Sequence, residues 1–211
     1  MITRKKYKKN GFTLAELLVA VATFTLLMLT LTSSFLLGVR YMKKTEAASN
    51  AQITARNISF AIVSELRQAC PNPAAGNTGY PSIYPSVDPT AILQPNANNH
   101  TSNYILFTEP DFSDYDPAAA GFNRFDPDIY QQVKYYVQDN VLYREVRKIS
   151  GGNLQAPVTT PLAEPVNGTI QLQFNYITAR TVEIIITVVE NQGDETETSY
   201  TSSTHVSIMV N

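Results

Sequence analysis

The stretch Lys8-Lys9-Asn10-Gly11-Phe12-Thr13-Leu14-Ala15-Glu16-Leu17-Leu18, with the apolar run that continues from it to Val39, decides how the rest of the chain is read. From Phe12 to Val39 the only ionisable side chain is Glu16; Arg4, Lys5, Lys6, Lys8 and Lys9 stand before the run, and Arg40, Lys43 and Lys44 follow it. Such a run reads as a membrane-spanning helix with its more basic side first. Residues 12–39 make a helix of about 42 Å at ~1.5 Å per residue, against a hydrocarbon core of ~30 Å. The helix is longer than a bilayer needs, so part of it is expected to pack against protein.

A secretory signal has an apolar core of roughly 7 to 15 residues with small residues at a cleavage site after it. Here the run is longer, and the small residue, Gly11, comes before it. The carboxylate inside the run is also costly, at about 2.5 to 3.5 kcal/mol for a charge near the bilayer centre, so Glu16 is expected to have a cationic partner and a function. The excess of cations before the run keeps the N-terminus in the cytoplasm and places the rest of the chain outside.

The residues Lys9-Asn10-Gly11-Phe12-Thr13-Leu14-Ala15-Glu16 resemble the class III leader and mature N-terminus of type IV pilins and type II secretion pseudopilins. The resemblance implies that a prepilin peptidase cuts between Gly11 and Phe12 and methylates the amine of Phe12, and that Glu16 is the glutamate at the fifth mature position. It covers about ten residues. Ala15 stands where the family more often has a larger aliphatic side chain, and the mid-helix proline common in major pilins is lacking, with Gly38 as the one weak point. The spacing also has a physical reason. Cutting after Gly11 leaves a cation on Phe12, and a glutamate about one turn on can neutralise it within the subunit or on the next one. In a medium of low dielectric such a pair attracts strongly, whereas either charge alone is costly to bury. The pair would then set the register of helices stacked in a fibre.

Removal of an 11-residue leader from 211 residues leaves 200, and removal of its five cations from 16 leaves 11 basic side chains against 18 acidic, a net charge of −7. That is room for one helix and one head domain, and it is not the basic balance of a nucleic-acid binder. The lone Cys70 has no internal disulfide partner, and a free thiol at a helix end is expected to be structural. Two histidines, His100 in a loop and His205 in a strand, with one cysteine do not make a zinc site. There is no nucleophile-elbow, zinc-protease or phosphate-loop motif. Neither an enzyme nor a cofactor is expected, and no metal site is assigned. The acidic segment around Asp111, Asp114 and Asp116 offers candidate calcium ligands, but it lacks the turn glycine and closing glutamate of an EF-hand, and a solvated loop is the competing reading.

From Arg40 to Cys70 the pattern turns amphipathic, with Ala51, Ala55, Ile58, Ile62, Leu66 and Ala69 at spacings of three and four and with Arg56, Glu65, Arg67 and Gln68 off the stripe. Pro71 and Pro73 end it. One helix from Phe12 to about Cys70 fits; so do two helices with a break near Gly38 to Lys44. Residues 71–103 are rich in proline and asparagine and read as a long covering loop, which Tyr80, Ile83 and Tyr84 would pin to the sheet. Strands are expected at Tyr104–Thr108, at Gln131–Gln138 and Val141–Arg147 around the turn Asp139-Asn140, at Thr169–Ile177, and at Thr181–Glu190 and Tyr200–Val210 around Asn191 to Asp194. Tyr130, Tyr135, Tyr136 and Tyr143 read as core and cross-strand packing. The expected fold is α+β: a leader at 1–11, a transmembrane or filament-core helix at 12–39, its amphipathic half at 40–70, and a head at 71–211 with one antiparallel sheet of five or six strands under the helix.

This layout resembles the minor pilins and J-type minor pseudopilins. The resemblance implies a structural subunit of a type IV pilus or type II secretion pseudopilus that helps initiate or cap the fibre. It also implies a single-pass inner-membrane precursor with its head outside, and partners that comprise other subunits, the prepilin peptidase and the inner-membrane assembly platform. Two further readings stay open: a tip adhesin or ligand-binding subunit for DNA uptake or surface attachment, and an unprocessed single-pass anchor. Added calcium is expected to leave the melting temperature of the head unchanged; a rise that a chelator reverses would install the Asp111 segment as a calcium site.

Overall fold

The computed structural model describes residues 13–70, 83–84, 100–111, 113, 126–151, 153–165, 168–178, 181–191 and 197–208. The chain falls into two compact units, Met1–Thr45 and Glu46–Asn211. One helix, α1 (Leu14–Leu66), contributes to both and is continuous through Gly38 to Lys44, where a break was the competing expectation.

In the first unit every side chain from Thr13 to Leu37 is exposed, although the segment is mostly apolar. Most of the hydroxyl groups along it are satisfied by the helix itself: Thr23 donates to the carbonyl of Val19 at 2.9 Å, Thr25 to that of Val21 at 2.9 Å, Thr30 to that of Leu27 at 2.8 Å and Thr32 to that of Met28 at 2.8 Å. A hydroxyl bonded one turn back is not a free donor on the apolar surface, which suits a helix in lipid. The helix is long and apolar enough to cross a membrane.

In the second unit the expected stripe is the buried one. Ala47, Ala51, Ala55, Ile58, Ile62 and Leu66 of α1 are buried, as is Ala69 just beyond it. Ala51 and Ala55 join the same core as Ile58, Ile62 and Leu66, and each of the three larger side chains gains roughly 1.5 to 3 kcal/mol from burial.

The strands are β1 (Ile83–Tyr84), β2 (His100–Ser102), β3 (Tyr104–Pro110), β4 (Tyr130–Gln138), β5 (Val141–Ser150), β6 (Asn153–Leu154), β7 (Val158–Ala163), β8 (Gly168–Thr178), β9 (Thr181–Asn191) and β10 (Glu197–Ser207). They form two antiparallel sheets rather than one. Sheet one has the order β1-β3-β4-β5-β6, with β7 also on β5; sheet two has the order β10-β9-β8-β2. The expected single sheet was wrong because alternation within a strand shows which face is buried and not which neighbour pairs with it. Asn103 separates β2 from β3, so the chain passes from one sheet to the other within a single residue, and the Tyr176 hydroxyl on β8 donates to the Tyr104 carbonyl on β3 at 3.4 Å.

Local chemistry accounts for most of the pairing. Asp139 and Asn140 have φ of 50° and 64°, the left-handed values that a two-residue hairpin turn needs, and β4 and β5 pair from Gln138↔Val141 outward. On β8 the buried residues are Ile170, Leu172, Phe174 and Tyr176, the expected alternation. Gly168 pairs with Glu190 where a Cβ would lie 1.7 Å from the Val189 carbonyl oxygen, so only glycine fits there. β9 and β10 pair over their full length. Two strands depart from expectation. His100 begins β2, pairing with Tyr176, instead of lying in a loop. β7 lies between the expected strands Val141–Arg147 and Thr169–Ile177; it carries Pro161 and is almost wholly exposed, which is the signature of an edge strand and hides it from a search for alternation.

Ile62 is fully buried, whereas Phe60 on the same turn is 77% exposed. Ile62→Ala should therefore lower the unfolding free energy of the head by about 2 to 5 kcal/mol, and Phe60→Ala should change it by no more than about 0.5 kcal/mol, both read from urea unfolding.

Candidate functional site

Gly11 and Phe12, the expected cleavage and methylation residues, lie outside the described residues. The description begins with Thr13, which caps α1. Its carbonyl accepts the Leu17 amide at 3.2 Å, and its hydroxyl oxygen accepts the Glu16 amide at 3.3 Å. The Glu16 carboxylate reaches back and accepts both the Thr13 amide and the Thr13 hydroxyl at 3.0 Å. This reciprocal pattern is a capping box, with Thr13 at the cap and Glu16 three residues on. Glu16 thus has a local role beside the expected pairing with a cation: it satisfies the Thr13 amide at the start of an otherwise apolar helix, where an anion also meets the positive end of the helix dipole. The signature was present in the sequence as Thr-x-x-Glu. Capping uses one carboxylate oxygen, Oε2, and leaves Oε1 for a cation.

The acidic segment gives less. Asp111 follows β3, and its carboxylate accepts the Ser113 amide at 3.0 Å and lies 3.0 Å from the Lys148 ammonium. Burial raises its pKa, but the Ser113 hydrogen bonds and Lys148 outweigh that and hold it below the ordinary value. Asp114 and Asp116 lie outside the described residues. Among the described residues no group of three or more His, Cys, Asp or Glu side chains is placed to hold a metal. His205 lies 4.0 Å from Glu183 on sheet two.

Cys70 follows the helix and is tied to β3, its amide donating to the Thr108 carbonyl at 2.9 Å. Burial, helped by the charge of Glu109, pushes its thiol up to about 12, so it stays protonated and unreactive. The tyrosines divide. Tyr135 is in the core, while Tyr136 and Tyr143 stack across β4 and β5 with centroids 5.6 Å apart. The Lys134 ammonium lies 4.7 Å from the Tyr136 ring and 5.3 Å from the Tyr104 ring. Rings whose faces are turned to one another and to a lysine pack the sheet and offer no open stacking platform.

A polar cluster where the last turn of α1 meets sheet one was not expected. Arg144 alternates with Leu142 and Val146 on the core side of β5, so a guanidinium enters an apolar face. Its Nε donates to Glu65 of α1 at 2.9 Å, and its Nη2 lies 3.5 Å from Glu109 of β3. The hydroxyl of Tyr135 donates to the same Glu65 oxygen at 2.8 Å, and Gln131 donates to Glu109 Oε1 at 2.8 Å. Glu65 and Arg144 are 79 residues apart, and no local pattern announces the pair. Removing the cation leaves two carboxylates against the core. Arg144→Met should cost about 3 kcal/mol of unfolding free energy, whereas Arg147→Met, whose side chain is 43% exposed, should cost no more than about 1 kcal/mol; urea titration of both variants checks the contrast.

Comparison of the chain with protein-family models, with curated proteins and with solved structures finds no match in any of the three.

Proposed function

We propose that this chain is a minor pilin-like structural subunit, cut after Gly11, methylated on Phe12 and carried from the membrane into a type IV pilus or secretion pseudopilus. The observation that carries the reading is the junction of the Gly11-Phe12-Thr13-Leu14-Ala15-Glu16 sequence with a helix whose side chains from Thr13 to Leu37 are all exposed and mostly apolar. An apolar surface of that extent requires a cover. Lipid supplies it for the inserted precursor, and the helices of neighbouring subunits supply it in a fibre. The separate α+β head agrees with a structural role but does not carry it.

Within this reading Glu16 has two tasks: it caps its own helix, and its charge pairs with the Phe12 amine of the same or the next subunit. The two are separable, because glutamine serves in a capping box as glutamate does but carries no charge. Incorporation of variants into sheared fibres tests this. Glu16→Gln and Glu16→Leu should both insert and be cleaved yet enter fibres poorly, while Thr13→Ala, which removes the cap alone, should enter them at close to the wild-type level. Normal incorporation of Glu16→Gln would remove charge pairing from the account and leave capping as the role of Glu16.

A further inference from the structure

Glu109 is an anomaly in the cluster at the end of α1. The residue is only 5% exposed. One of its oxygens, Oε1, accepts from Gln131 and faces Arg144, whereas Oε2 is buried without a hydrogen-bond partner. The groups facing it are Glu65 from α1, the thiol of Cys70 beyond the helix, Asp111 at the end of its own strand, Gln131 from β4 and Arg144 from β5. Lys148 is engaged by Asp111 at 3.0 Å. Two carboxylates thus share one guanidinium. They are unequal: the Glu65 side chain is 25% exposed and can turn to water, while that of Glu109 is 6% exposed and cannot.

We propose that protonation of Glu109 is a switch on the tie between the last turn of α1 and sheet one. With the proton on, Arg144 serves Glu65 alone; with the proton off, the guanidinium moves toward Glu109 and the link through Arg144 to the helix loosens. The direction follows from solvation. A charge that water cannot reach is the costlier one to leave unpaired, so the buried carboxylate wins the cation and Glu65 is left to solvent and to Tyr135. Tyr135 stays a donor throughout, because burial, then the charge of Glu65 and the hydrogen bond to it, raise its pKa.

The switch works near neutral pH. Burial first, then the neighbouring charges of Glu65 and Asp111, push Glu109 up from 4.5 to about 7 against the opposing pull of Gln131 and Arg144. The folded chain therefore keeps a proton that the unfolded chain has released. This group's contribution to stability is fully present below 4.5 and is lost as pH rises to about 7.

The test is a double-mutant cycle of Glu65→Gln and Arg144→Gln on the full chain in detergent micelles, with unfolding of the head followed by its tyrosine circular dichroism. At a pH of about 5.5 the pair should couple by about tenfold in the unfolding constant, and at about 8.5 by about twofold or less. In a Glu109→Gln background the coupling should keep its larger value at both pH values. Equal coupling at the two pH values in the parent chain, or a pH dependence that survives Glu109→Gln, would overturn the proposal. A second measurement needs no substitution: the carbon-13 resonance of the Glu65 carboxyl should move near neutral pH, where Glu109 titrates, and a resonance that stays still there would equally overturn it.

Discussion

Burial of one face of α1 in the second unit is the contact on which the head depends. Ala47, Ala51, Ala55, Ile58, Ile62 and Leu66 follow one another at three- and four-residue steps, and those from Ala51 onward join a core that includes Phe107, Val133 and Tyr135 of sheet one and Phe174, Ile184 and Ile186 of sheet two. The helix and both sheets share one core. Small residues come first along this face and large ones later. In the first unit the same helix has the opposite character, with apolar side chains outward and hydroxyl groups folded back onto its own carbonyls.

Polar groups on these apolar elements are held by specific partners. Glu16 sits at the start of an exposed apolar helix, where the amides of the first turn need an acceptor, and it supplies one. Arg144 enters the core face of β5 because Glu65 and Glu109 converge on it, and Tyr135 and Gln131 complete the shell. The exceptions are few. Glu109 Oε2, Thr108 Oγ1 and Thr198 Oγ1 are the buried side-chain atoms without a partner among the described residues. Two of the three lie on adjacent residues of β3, beside the Cys70 link to the helix, so polar strain is concentrated where α1 ends.

Much of this fold was legible in the sequence where the signal is local. The apolar run and the alanine-isoleucine stripe gave α1 and its buried face, the Asp139-Asn140 turn gave the β4–β5 hairpin, and alternation from Ile170 to Tyr176 gave the core face of β8. What stayed hidden depends on long-range pairing. The division into two sheets rests on the break at Asn103 between β2 and β3, and β2 has only three residues. β7 buries almost nothing, so it leaves no periodicity to read. The Glu65–Arg144 pair joins residues 79 apart. Glu16 is a different case: its capping partner Thr13 is a local signal, present in the sequence as Thr-x-x-Glu.

The most direct test of the pilin-like account is the mass of the protein's N-terminal peptide, taken from cells with and without an active prepilin peptidase. The account predicts a chain that begins at N-methyl-Phe12 when the peptidase is present and at Met1 when it is absent. A chain that begins at Met1 in both would contradict it and leave an unprocessed anchor displaying the two-sheet head.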